Sequence, residues 1–183
     1  MCCGAPLSRR STIPSPTTWA AGAFTSSAAD ASYPAGNVNH RVTQRCFDLA
    51  RDVDLHQQST ARSRESAIAG VTSGKLGPGD TVTWQATHFG LRLRLTSRIT
   101  EFEPPHRFVD AMIHGPFARL RHIHEFHPQT GGTRMVDVFD YASPLGPLGW
   151  LADRLVIRRY MERFLITRNR ILKAAAEDRD ARS

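Results

Sequence analysis

The chain has 183 residues, 40% of them hydrophobic and 22% charged, the balance of one ordinary soluble domain with room for a core. No run approaches the roughly 18 to 20 apolar residues needed to span a bilayer, so a transmembrane helix is excluded. The net charge of +7 sits at the ends: residues 1–47 carry four Arg against one Asp, residues 148–183 nine Lys and Arg against five acids, and residues 48–147 eleven of each sign. A groove for a phosphate backbone needs a basic stripe interleaved with aromatics, and none is visible. The basic residues are read as a solvated helix face and nucleic acid is not expected as a partner.

Residues 1–38 are dense in Ser, Ala, Thr, Pro and Gly ("STIPSPTTWAAGAFTSSAADASYPAG") and lack helical or strand periodicity. Such a composition buries too little apolar surface to offset its ordering entropy, which predicts a disordered extension. A targeting segment is the alternative, although "TTWAAGAF" is a weak apolar core far from the start. Cys2, Cys3 and Cys46 form no CxxC pair. They fit free thiols in a reducing cytoplasm better than a disulfide scaffold.

From Arg41 the pattern changes. Val42, Cys46, Leu49 and Val53 recur at spacings of three and four, which predicts an amphipathic helix of about three turns. "QQSTARSRESA" reads as a polar continuation leading to a strand around 62–69, and "GVTSGKLGPGD" as a loop. Strands follow in "TVTWQATHFG" and in "LRLRLTSRITEFEPP", where Leu91, Leu93, Leu95 and Ile99 alternate with Arg92, Arg94 and Arg98. Pro104 and Pro105 end that strand. "RFVDAMIHGPF", "ARLRHIHEFHP" and "TRMVDVFDYASPLG" supply three more, joined by short turns, which makes an antiparallel meander. After "LGPLGW" breaks the sheet, Ile157, Met161, Phe164, Leu165, Arg168, Leu172 and Ala175 follow one helical period to about Glu177. The order predicts an α+β fold, with a curved sheet gripping the last helix.

In the order and spacing of "CFDLARDVDLH", "GDTVTWQATHFG", "RFVDAMIHGPF", "RHIHEFHP", "GTRMVDVFDYASPLGPLG" and "RRYMERFLITRN", the chain resembles the START/Bet v 1-like (SRPBCC) superfamily, which includes polyketide cyclase/dehydrase proteins. The resemblance covers roughly residues 42–176. It implies a helix-grip fold: a seven-stranded sheet wrapped on a long C-terminal helix, with an apolar cavity between. It assigns residues 39–178 to that domain and leaves 179–183 as a polar tail. It also implies a strand directly before the first helix, supplied by residues 36–42 unless the N-terminus has diverged.

Alternation along the strands selects candidate site residues. Leu120, His122, His124 and Phe126 share one face of their strand, opposite Arg119, Arg121, Ile123, Glu125 and His127, so His122 and His124 are expected to point inward and His127 outward. Two inward histidines fall short of the three or four protein ligands zinc takes. No metal and no cofactor are therefore expected. Asp137, Phe139 and Tyr141 share a face of the next strand and come near these histidines across the ladder. Asp110 and His114, with Met112 between them on the same face, extend the set. Trp84 and His88 share another strand face. Met161, Phe164 and Leu165 belong to the helix that floors the pocket.

Three readings follow. The leading one is a binding protein that holds a small hydrophobic molecule (a lipid, polyketide or aromatic compound) between sheet and helix. The second is a cyclase/dehydratase-like enzyme with catalytic candidates His122, His124, Asp137 and Tyr141, an inward histidine serving as general base. A third, a partner or chaperone surface built on the basic helix, needs no cavity. No Ser-His-Asp order or phosphate-binding glycine motif is present.

Overall fold

The structure is a computed structural model and describes residues 21–27, 31–32, 39–129, 132–144 and 153–178. In chain order these form strands β1 (Ala21–Ser27) and β2 (Ala31–Ser32), helices α1 (Asn39–Ala50) and α2 (Val53–Ser59), and a short 3₁₀ turn (Ala61–Ser63). Strands β3 (Ser66–Gly70), β4 (Thr81–His88), β5 (Leu91–Glu103), β6 (Arg107–His114), β7 (Arg119–Gln129) and β8 (Gly132–Ala142) follow. A π-type turn (Asp153–Ile157) leads into the long helix α3 (Arg158–Asp178).

One antiparallel sheet runs β1-β8-β7-β6-β5-β4-β3, with β2 also paired to β8. The meander from β3 to β8 follows from short connections, and its tightest turn shows why. His88 pairs with Leu91 across two residues, Phe89 and Gly90, whose φ angles are 52° and 78°. Positive φ at both central positions matches the right-handed twist of the flanking strands. Bulges interrupt β5 against β6 between Thr96 and Ser97 and again between Ile99 and Glu101, and bulges increase local twist and bend. The wrap of this α+β sheet about α3 is the helix grip.

The N-terminal expectation needs correction. The first strand is not residues 36–42: Ala21–Ser27 pairs with β8 from Ala142 to Val136, and Ala31–Ser32 with Thr133 and Gly132. Residues 21–27 and 31–32 therefore do not belong to a disordered extension. The remainder of 1–38, and the tail at 179–183, lie outside the described residues. An edge strand is held by backbone hydrogen bonds, so small residues such as "AGAFTSS" fill the place without the apolar alternation that marks an inner strand.

The first helix also differs in detail. It stops at Ala50, and Asp52 begins α2 by accepting the Leu55 N–H on Oδ1 at 2.9 Å. Its deepest residues are Thr43, Cys46, Phe47 and Ala50, whereas Val42 and Leu49 are only partly buried. The main core gathers on Phe47, which is fully buried and meets Phe102, Phe108 and Phe126 edge-on at 5.3, 5.4 and 5.6 Å. A second cluster of Leu120, Phe139, Tyr141 and Leu165 lies toward the other end of the sheet. Between the two clusters the interior is open.

Candidate functional site

A cavity of about 320 Å³ lies between the sheet and α3. Its sheet wall includes Trp84, Ala86 and His88 of β4, Leu120 and His122 of β7, and Phe139 of β8. Helix α3 contributes Met161, Phe164, Leu165 and Arg168, and Asp110 reaches in from β6. Nine of the lining residues expected from the sequence therefore meet in one space.

Four others do not line it. Met112 packs partly buried against the second cluster. His114 is exposed at the end of β6, opposite Thr96 and beyond the bulge that separates that pair from Met112–Ser97. The bulge breaks the strict alternation that put His114 inside. Tyr141 is fully buried, packed on Phe117 and Phe139. His124 sits behind the cavity and lines a small adjoining pocket of about 30 Å³ instead.

Four residues unforeseen from the sequence also shape the cavity. His56 of α2 stacks on Trp84 at 4.2 Å, and its Nε2 stands 3.4 Å from Oε2 of buried Glu65. Tyr160 bonds His88 Nδ1 at 2.5 Å across the cavity mouth. Arg168 is 4% exposed on the inward face of α3. The signal for Arg168 was in the sequence, since it is the one charged residue on the last helix's apolar stripe. A positive charge at a core-facing position needs a buried acceptor.

That acceptor is part of a buried cluster around Asp137. Asn169 Nδ2 donates to Asp137 Oδ2 at 2.6 Å, and Arg168 Nη1 lies 3.9 Å from the same oxygen. Arg168 also donates through Nη2 to the Ala50 carbonyl at 3.1 Å, tying α3 to the end of α1. His124 Nδ1 and His122 Nε2 face Asp137 Oδ1 at 2.6 and 3.2 Å. The two imidazoles lie 3.9 Å apart, and His124 also stacks on Phe108 at 4.3 Å.

The environment separates the titrating groups. Burial alone would raise the Asp137 carboxyl, but the two histidines outweigh it and hold this acid well below the usual carboxylate range. Burial pushes the His124 imidazole down to about 3, with His122 adding to the effect and Asp137 opposing it. Asp110 goes the other way. Burial raises its carboxyl despite His122 and Arg168, and it makes no side-chain hydrogen bond among the described residues. It borders both the cavity and the small pocket. At the mouth, burial lowers His88, with Glu65 opposing.

A sequence model described as polyketide cyclase/dehydrase and lipid transport matches residues 44–177, most of the chain. The chain belongs to that family. No curated protein matches the sequence. Among solved structures, a Thermus thermophilus protein superposes with TM-score 0.62 at 18% identity, over 85% of this chain and 96% of that one. The Zhui aromatase/cyclase of Streptomyces sp. R1128 gives TM-score 0.62 at 13% identity, over 87% and 94%. The di-domain aromatase/cyclase StfQ of the steffimycin pathway gives 0.66 at 15%, over 88% of this chain and 52% of that one. At these identities the likeness shows the helix-grip fold. No helix among the described residues is long and apolar enough to cross a membrane.

Proposed function

We propose that the protein binds a small, mainly apolar molecule of aromatic or polyketide-like character. The ligand lies in the cavity with its polar end toward Asp110, His122 and Arg168. The observation that carries this reading is the shape of the lining: aromatic and aliphatic walls converge on one polar floor, the usual make-up of a small-molecule site. A volume of about 320 Å³ is at the small end of such sites. The family's description and the helix-grip neighbours support the same reading.

The test uses the fluorescent probe 1-anilinonaphthalene-8-sulfonate. Ala86 is buried and lines the cavity, so Ala86→Trp fills the space from one wall. Probe affinity should fall at least tenfold, about 1.4 kcal/mol, while the fold is retained. A variant that takes up the probe as well as the parent protein refutes a cavity site.

One observation favours a second, enzymatic reading: Asp110 and Asp137 are pushed in opposite directions across His122. Titrating groups driven apart in this way suit an acid and the support of a base. On this reading, a protonated Asp110 donates to a ligand carbonyl and His122, backed by Asp137, moves a proton. His122→Gln should then cost roughly 10²–10⁴ in rate on a turned-over substrate, whereas simple binding predicts only a modest change in affinity.

A further inference from the structure

We propose that Asp110, His122 and His124 form a binding site for a divalent transition-metal ion, with Asp137 as the carboxylate behind both histidines and the open coordination position facing the cavity. The sequence alone offered two inward histidines, too few for zinc. The fold adds a third donor, because Asp110 and His122 are register partners across β6 and β7. One ligand atom from each of the three residues lies within 4.8 Å of the others. Ligand atoms on a tetrahedral ion with bonds of about 2.0–2.1 Å stand roughly 3.4 Å apart, so closing on an ion needs a shift of about an ångström.

Three features favour the site beyond proximity. Two imidazoles and one carboxylate are a donor set suited to zinc or ferrous iron with a position left open. Ligating histidines commonly carry a carboxylate on the ring nitrogen away from the metal. Here the His124 Nδ1 and His122 Nε2 atoms face Asp137, so in a metal-bound state held in this way the other nitrogen of each ring would be the ligand. The small pocket bordered by all three donors holds about 30 Å³, room for an ion or a water.

Charge is consistent with this assignment. Asp110 and Asp137 supply two negative charges when ionised and Arg168 one positive charge, so a divalent ion leaves the cluster at +1 and suited to an oxygen anion as fourth ligand. Arg168 also borders the small pocket, with Nη1 3.9 Å from Asp137 Oδ2 and its hydrogen bonds spent on the Ala50 carbonyl and Asn169. Asp110 and His122 also line the main cavity, which places the open position within reach of whatever the cavity holds. The inference does not depend on the binding reading, since a protein that rejects the hydrophobic probe can still take the ion.

The experiment titrates chelator-treated full chain with Zn²⁺ by calorimetry and with Co²⁺ by visible absorption. A Cys2→Ser/Cys3→Ser background removes the adjacent thiols as competing ligands. One equivalent should bind, with the d–d spectrum of a low-coordinate nitrogen–oxygen site. Asp110→Asn and His122→Gln should each weaken binding by at least tenfold, and His127→Gln, an exposed histidine of the same strand, should leave it unchanged. Circular dichroism verifies the fold of each variant, and the Co²⁺ spectrum of the unsubstituted site stands without them. Absence of stoichiometric binding, or binding indifferent to both Asp110→Asn and His122→Gln, overturns the proposal.

Discussion

Replacing Asp137 with Asn tests the account of the buried cluster most directly. The carboxylate is fully buried and is the only acid within ion-pair distance of Arg168 among the described residues. Breaking a buried pair by neutralising one partner typically costs about 3–5 kcal/mol, because the other charge stays buried without compensation. Asn keeps an oxygen that can accept from Asn169, while Arg168 keeps its bond to the Ala50 carbonyl. The lower end, about 3 kcal/mol, is therefore expected. For a domain of this size each kcal/mol moves the thermal midpoint by about 2–4 °C, so Asp137→Asn should melt on the order of 10 °C early. Urea unfolding of the metal-free protein, followed by far-ultraviolet circular dichroism, gives the free energy. Arg168→Met supplies the second arm, and the double variant should lose about 0.5–3 kcal/mol less than the sum of the singles, since the pair acts as one unit. A single-variant loss below about 1 kcal/mol, or strict additivity in the cycle, refutes the reasoning.

Other outcomes follow from the same geometry. A chain starting at Asn37 lacks β1 and uncovers the edge of β8; it should melt several degrees lower and associate at high concentration, and an unchanged midpoint in thermal scans shows that β1 contributes nothing. Phe47→Ala empties the centre of the aromatic core and should cost about 3–5 kcal/mol by urea unfolding. His88 should titrate below the ordinary histidine value of 6.5, because burial disfavours its charged form. Its contribution to stability therefore falls as pH drops from 6.5 toward the folded value, where the unfolded chain binds the proton first. A ring titration by NMR at or above 6.5 counts against this.

The meander and the last helix were legible because their signals are local. Leu120, His122, His124 and Phe126 alternate without interruption in a regular ladder, and the structure keeps all four buried. His114 shows where the method fails: period-2 counting assumes a continuous register, and the bulge that ends it has no apolar signature. The first strand was hidden for a different reason, since an edge segment is recruited by the backbone of its neighbour and needs little of its own pattern. His56, Glu65 and Tyr160 come from a helix, a loop end and another helix, and only tertiary packing brings them to one wall. Arg168 stands between these cases: its place on an apolar stripe was readable, but the partner it required was not.

The cluster divides into a part that holds the protein together and a part left for chemistry. Asp137 is engaged by Asn169, Arg168 and both histidines, from β7 and α3, so it fixes the long helix to the sheet. Asp110 faces the same histidine from β6 but satisfies no donor among the described residues, and burial raises its carboxyl despite His122 and Arg168. A group that cost stability and served only packing could be exchanged for Asn or Leu without loss. Asp110→Asn should therefore leave the thermal midpoint unchanged or raise it slightly, in contrast to Asp137→Asn, while any ligand or metal affinity falls. Measuring both quantities on both variants separates scaffold from site. A large destabilisation at Asp110 instead means that this carboxyl is structural, and Asp110 is then not the group left free to act on a ligand.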